Sequence, residues 1–370
     1  NIAEYFTLIL FALSGIVIMV SYQNLSMLFI GLEIMSVSLY ILAGIRKLNF
    51  ASNEASLKYF LMGAFATGFL LFGIALIYGS TGSFDVHVIN NFSVANPKDL
   101  MFVMGIMLML VAMAFKVSLA PFHMWSPDVY QGAPSLITAF MASVVKIAAF
   151  FAFFKVMNLA FAGSIKEWIN ILGVLVIITL LLANAMGLAQ TNAKRMLAYS
   201  SVSHAGYLGL IFFGANSLSV YNLAFYLFAY SLATVGVFMT LIWVEKLKRE
   251  TSFEAFKGLA KSEPLLAVVT AVSLLSMAGI PLTAGFVAKF NIFAQAMNGA
   301  AFLVLIAVLG SALSIAYYLK LIISMFFHTE TTFKSSEKVS ITYNIIAVFI
   351  IVAILAIGIY PDLFKILFGL

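Results

Sequence analysis

The sequence predicts an all-α polytopic membrane protein with about eleven transmembrane helices, two of them discontinuous. Three observations carry that prediction. The 370 residues are 64% hydrophobic and only 9% charged, with a mean hydropathy of +1.10, whereas a soluble domain has about 25% charged residues. Apolar runs of about 20 residues, enough to span a bilayer, recur along the chain between short polar flanks. Two runs are too long for one crossing, and each has a proline deep inside, Pro121 and Pro281. Proline removes a backbone donor and clashes with the preceding turn, so it kinks or breaks a helix.

In order, the spans are expected at 2–21, 24–46, 55–79, 99–131, 134–157, 167–190, 194–215, 218–245, 264–297, 300–328 and 339–363. The second holds Glu33. The fourth holds Lys116, Pro121 and His123, and reads alternatively as a helix ending near Leu119 followed by a short amphipathic piece. The fifth carries Lys146 at its middle and Lys155 nearer its end, the seventh His204, the ninth Pro281 and Lys289, the tenth Lys320 nearer its end. The longest loop, 246–263 (KLKRETSFEAFKGLAKSE), reads as an amphipathic helix lying on the membrane face.

Loop charge sets the orientation. The side of Asn1 carries twelve basic residues, Arg46, Lys47, Lys58, Lys194, Arg195, Lys246, Lys248, Arg249, Lys257, Lys261, Lys334 and Lys338; the other side carries four, Lys98, Lys155, Lys166 and Lys365. The positive-inside rule then makes the side of Asn1 cytoplasmic. The broken spans are the fourth and the ninth, five apart. A five-helix unit repeated in tandem enters the membrane from opposite sides, because five is odd. Residues 1–157 and 158–328 are therefore expected to form two inverted repeats, with 329–370 an extra helix. Interrupted segments at matching positions of two halves point to a transport site.

Several chemistries are excluded. With no Cys there is no Cys-ligated iron–sulfur cluster, zinc ribbon or disulfide. No Walker A motif and no G-x-G-x-x-G occurs, which argues against ATP and dinucleotide sites. Of four His, His87 lies in a loop and His328 at a span end, which argues against haem. The pI near 9.3 comes from scattered loop residues, not from a nucleic-acid patch. The remaining reading is movement of a small cation, driven by a gradient or a partner.

The candidates are the ionisable residues inside the spans, since each costs at least about 2.5–3.5 kcal/mol at mid-membrane and is a functional hypothesis by default. Glu33, Lys116, Lys146, His204 and Lys289 stand out. Lys155 and Lys320 lie close enough to span ends to snorkel. His123, in the PFHMW break, either satisfies freed carbonyls or takes part. Ser26, Glu33, Ser36 and Tyr40 form one helical stripe, and Ser200, His204 and Tyr207 another. Such stripes should face the bundle interior and relay protons through hydroxyls and water.

These motifs resemble a known family. GLEIMSVSLYILAG at 31–44, FKVSLAPFHMWSPDVYQGAPSLITAF at 115–140, KRMLAYSSVSHAGYLGL at 194–210 and GIPLTAGFVAKF at 279–290 look like the antiporter-like membrane subunits of respiratory complex I, the proton-pumping NADH:quinone oxidoreductase, and most like its N type. The resemblance implies a longer subunit of fourteen helices, of which the first three would precede this chain. It implies a Glu–Lys pair at Glu33 and Lys116, a connecting Lys146 and a terminal Lys289. It places flavin, iron–sulfur clusters, NADH and quinone in partner subunits, with no cofactor or metal here. It also implies neighbouring antiporter-like subunits and a bacterial inner membrane, the side of Leu370 being periplasmic. Multisubunit sodium/proton antiporters share these lysines and are the alternative. A structural subunit without transport is a third class, and costly mid-membrane charges speak against it.

Overall fold

The computed structural model describes residues 2–328 and 339–369; Asn1, Lys334, Lys338 and Leu370 lie outside the described residues. Among these, nine helices are long and apolar enough to cross a membrane. The chain divides into two compact units, Asn1–Thr179 and Leu180–Leu370.

The first unit contains α1 (Ile2–Ser21), α2 (Leu25–Ala43), α3 (Phe50–Thr81), α4 (Val86–Ala95), α5 (Leu100–Val117), α6 (Trp125–Gly132), α7 (Ser135–Ala160) and the first part of α8 (Ala162–Leu188). Asn24, Asn49, Asp85 and Asp99 start four of them, each side chain accepting from a backbone N–H of the first turn. Helix α4, in what reads as a plain loop, owes its start to the Asp85 cap. Helices α1 and α2 touch backbone to backbone, because a Cβ on Gly15 would lie 2.5 Å from Met35 N and one on Gly31 2.5 Å from Met19 N. Small residues allow that approach where no water drives helices together.

The fourth span is broken as Pro121 requires. Helix α5 stops at Val117, Ser118 takes a left-handed conformation (φ 66°), and helix resumes at Trp125. The Ala120 N–H freed in the gap donates to Thr179 Oγ1 of α8 at 2.8 Å. Helix α7 is interrupted by two π turns, Met141–Val145 and Val156–Ala160, and Lys146 directly follows the first. Single π turns recur at functional sites.

The second unit holds the rest of α8, then α9 (Ala193–Gly209), α10 (Ser219–Lys248), α11 (Pro264–Ala278), α12 (Ala284–Phe327), α13 (Ile341–Ile359) and α14 (Asp362–Phe368). The ninth span breaks between α11 and α12, with Gly279 left-handed at φ 86°. Helix α12 runs 44 residues but is non-helical at Ala300. Lys289 and Ser311, 22 residues apart, share a 2.8 Å hydrogen bond, whereas a straight helix would separate them by about 33 Å. The chain therefore doubles back at Ala300, where the sequence places the boundary between the ninth and tenth spans.

One sequence expectation needs correcting, and the count of eleven is not confirmed by length and composition. Among the described residues nine helices qualify, because α9 has 17 residues, α11 has 15, and α12 counts once although it reverses at Ala300. The loop 246–263 is not one amphipathic helix. Helix α10 extends to Lys248, and only the turns Phe253–Phe256 and Leu259–Ser262 follow. Backbone pairing pulls the segment inward instead: Ala193 N donates to Thr251 O (2.8 Å) and Phe253 N to Thr191 O (2.9 Å). Phe256 and Leu259 are buried as a result, and left-handed Gly258 prevents a continuous helix.

Candidate functional site: buried lysines at two broken helices

Each unit places a lysine at the carbonyl end of its broken helix, where unsatisfied C=O groups and the helix dipole favour a cation. Lys116 does so from the last turn of α5. It is 8% exposed, and its Nζ donates to Ser36 Oγ of α2 at 2.8 Å. The Tyr59 ring centroid lies 5.9 Å from it. Tyr59 stacks on Trp125 (4.6 Å), whose Nε1 donates to Phe115 O at 3.0 Å. The aromatic pair thus ties the resumed helix α6 to the end of α5.

Glu33 is half-buried and accepts from Thr67 Oγ1 at 2.7 Å. Thr67, Ser36, Tyr40 and Lys116 line one small cavity with room for about one water. Two hydroxyls thus stand between the acid and the base, and Thr67 was not singled out by the sequence. Lys146 is 5% exposed in α7. His123 is buried in the break, and its Nδ1 meets no hydrogen-bond partner among the described residues.

In the second unit Lys289 is 5% exposed. Its Nζ donates to Ala278 O (2.9 Å), the last residue of α11, and to Ser311 Oγ (2.8 Å). The Tyr207 ring lies 4.6 Å from the ammonium, a cation–π distance. His204 shares a hydrogen bond with Tyr226 OH at Nδ1 (2.7 Å) and with Tyr318 OH at Nε2 (3.3 Å), and Tyr318 is also bonded to Ser200. A second small cavity lies between His204, Tyr230 and Ser276, at the second break. The stripe of Ser200, His204 and Tyr207 does face inward together.

The two lysines near span ends behave differently. Lys155 Nζ bonds the Tyr22 backbone oxygen and lies 4.4 Å from that ring, closing the end of α1. Lys320 is exposed and bonds Leu188 O at the end of α8, apart from the Lys289 cluster. Both hold backbone oxygens, which the sequence does not reveal, because the oxygens belong to residues distant in the chain, 133 and 132 positions away.

Interrupted helices with a buried cation at each interruption define a class of multi-pass ion-translocating membrane proteins. The transmembrane family described as NADH:quinone oxidoreductase/Mrp antiporter matches residues 23–314, and the chain belongs to that family. The NADH-quinone oxidoreductase subunit N of Cytophaga hutchinsonii is 44% identical to it over 364 residues, 98% of this chain and 79% of that protein. A chain of respiratory complex I from Thermus thermophilus with bound aureothin matches with a TM-score of 0.83 at 36% identity, over 97% of this chain and 79% of that one. A chain of the Mrp complex from Dietzia shares the fold, with a TM-score of 0.86 over 96% of this chain and 75% of that one, at 23% identity.

Proposed function

We propose that this chain is the N-type subunit of a membrane NADH:quinone oxidoreductase and that its buried Glu33, Lys116, Lys146, His204 and Lys289 relay protons, coupled to quinone reduction elsewhere in the complex. The observation that carries the relay is the setting of Lys289: a buried ammonium holding the last carbonyl of a broken helix, over Tyr207. Protonated, it gains charge-assisted bonds and the ring contact; deprotonated, it loses most of both, so the proton state is tied to the geometry of the break. His204, with a hydroxyl on each ring nitrogen, can take a proton at one nitrogen and release one at the other. Glu33 and Lys116 support the same reading in the other unit, with Lys146 as the connecting group. His123 has a lesser part and Lys320 a capping one.

In this reading flavin, iron–sulfur clusters, NADH and quinone are held by partner subunits, beside neighbouring antiporter-like subunits. The membrane is the bacterial inner one, with the side of Asn1 cytoplasmic and that of Leu370 periplasmic, on the loop-charge asymmetry. Residues 1–157 and 158–328 are read as two five-helix repeats and 329–370 as an extra helix; the support is a proline break in each half.

The test is Lys289→Ala in the assembled complex in inverted membrane vesicles. Proton uptake should fall about a hundredfold or more, as expected when a positioned proton-transfer group is lost, and quinone reduction should slow with it. Unchanged uptake and turnover would overturn the relay. Co-purification of the tagged chain with flavin and iron–sulfur subunits is expected. A sodium-dependent phenotype without redox subunits would favour the antiporter alternative.

A further inference from the structure

Asn184 lies in the second-unit part of α8, fully buried within the apolar run TLLLANAMGL. A buried amide is costly unless its hydrogen bonds are made. Asn184 makes four. Its Nδ2 donates to Leu180 O (2.7 Å) and to Tyr207 OH (3.5 Å). Its Oδ1 accepts from Ser203 Oγ (3.0 Å) and from Tyr317 OH (3.3 Å). That uses both donors and both acceptor positions of a side-chain amide. The Leu180 carbonyl also settles which way the amide faces, since the reverse orientation would oppose two carbonyl oxygens.

Room for the amide comes from Gly310 on α12. A methyl there would lie 2.8 Å from Asn184 Nδ2 and 3.4 Å from the Tyr207 hydroxyl. Two of the four partners lead to the proton-carrying groups. The Tyr207 ring lies against the Lys289 ammonium. The Tyr317 ring packs edge to face on Tyr318 (4.5 Å), whose hydroxyl reaches His204 Nε2.

We infer that Asn184 is a positioning residue that sets Tyr207 beneath Lys289 and Tyr317 beside the Tyr318–His204 pair, so that one amide fixes the hydrogen-bond geometry of both groups. The inference rests on the reading of Lys289 and His204 as proton carriers. An amide does not take up a proton at neutral pH, and the Ser203 and Tyr317 hydroxyl hydrogens are committed to its oxygen. Protons therefore pass around Asn184, not through it. Its role is to hold two relay groups in fixed orientation while they change charge.

The experiment compares Asn184→Leu, Asn184→Asp, Gly310→Ala and Lys289→Ala in the assembled complex, measuring assembly, proton uptake and the pH profile of NADH:quinone turnover. Asn184→Leu keeps the branched outline, is somewhat larger, and removes all four bonds; proton uptake per NADH should fall at least threefold. Asn184→Asp keeps the acceptor side but turns an oxygen toward Leu180 O in place of the Nδ2 donor; uptake should stay below the parent's, and the ionised carboxylate behind Tyr207 should move the pH profile to higher pH, since a negative charge there favours the ammonium. Gly310→Ala removes no hydrogen-bonding group and is a change that ordinarily favours a helix. It should nonetheless reduce uptake, because its methyl displaces the amide. Parent-like uptake and pH profile in both Asn184→Leu and Gly310→Ala would overturn the inference while Lys289→Ala remains defective. Loss of assembly in Asn184→Leu with a parent-like Gly310→Ala would also overturn it, marking a purely structural amide. A normal Lys289→Ala would sink the underlying proton-carrier reading instead.

Discussion

Lys289 Nζ donates to the backbone oxygen of Ala278 at 2.9 Å and to Ser311 Oγ at 2.8 Å, and Ser311 donates to that same oxygen at 3.1 Å. The three atoms close a triangle at the end of α11. A helix broken inside hydrocarbon exposes carbonyls that water does not reach, so side chains must supply the donors. Here the donor is also the residue read as the proton carrier.

This triangle predicts coupling between two substitutions. Lys289→Met and Ser311→Ala each leave Ala278 O one side-chain donor, and the double variant leaves none. The double should be less stable than the sum of the singles by about 1 kcal/mol, as expected for residues sharing a partner. Thermal unfolding of the purified complex, compared across the four combinations, checks it. Additive effects would mean that the carbonyl is satisfied in another way.

At the first break the corresponding donor is a backbone group. Ala120 is fully buried, and its N–H relies on Thr179 Oγ1. Thr179→Val keeps the shape and strands that N–H, at a cost of about 1–3 kcal/mol. Thr179→Ser should recover most of the loss. A drop in thermal stability for Val but not for Ser is the expected result; equal stability of both would show that the break does not depend on this bond.

Glu33 and Lys116 supply a third prediction. At an effective dielectric of 20, opposite charges about 5 Å apart attract by roughly 3 kcal/mol, and at about 10 Å by roughly 1.7. Glu33→Gln keeps the acceptor for Thr67 and removes the charge, whereas Glu33→Asp keeps the charge. Glu33→Gln should assemble and translocate protons several-fold more slowly, with Glu33→Asp closer to the parent. Normal translocation by assembled Glu33→Gln would refute an electrostatic switch. Failure confined to assembly would make the pair structural.

The broken helices were legible because proline acts locally. Pro121 and Pro281 lack the donor that a continuous helix needs, whatever surrounds them. The interior placement of Lys116, Lys146 and Lys289 was legible for a similar reason: an ammonium with long apolar runs on both sides has no route to water except through the protein. The segment 246–263 shows the limit of this reasoning. Its charges have a helical look, yet backbone pairing of Thr191 with Phe253 and of Ala193 with Thr251 decides its path, and no local pattern encodes a partner some sixty residues away.

The sequence by itself determined that this chain lives in a bilayer, where its helices are interrupted, and which charges lie too deep to reach water. Those properties follow from hydrocarbon as a solvent and from the geometry of single residues. Only the tertiary structure decided what each charge touches. Asn184, Thr67, Thr179 and Ser311 look unremarkable in sequence, since a hydroxyl or amide in an apolar run can bond its own helix. They matter here because packing brings them against groups from other helices: Asn184 meets Tyr317, 133 residues away, and Thr179 meets Ala120, 59 residues away. A hydrogen bond needs its partner within about 3 Å, and only the folded chain sets that distance.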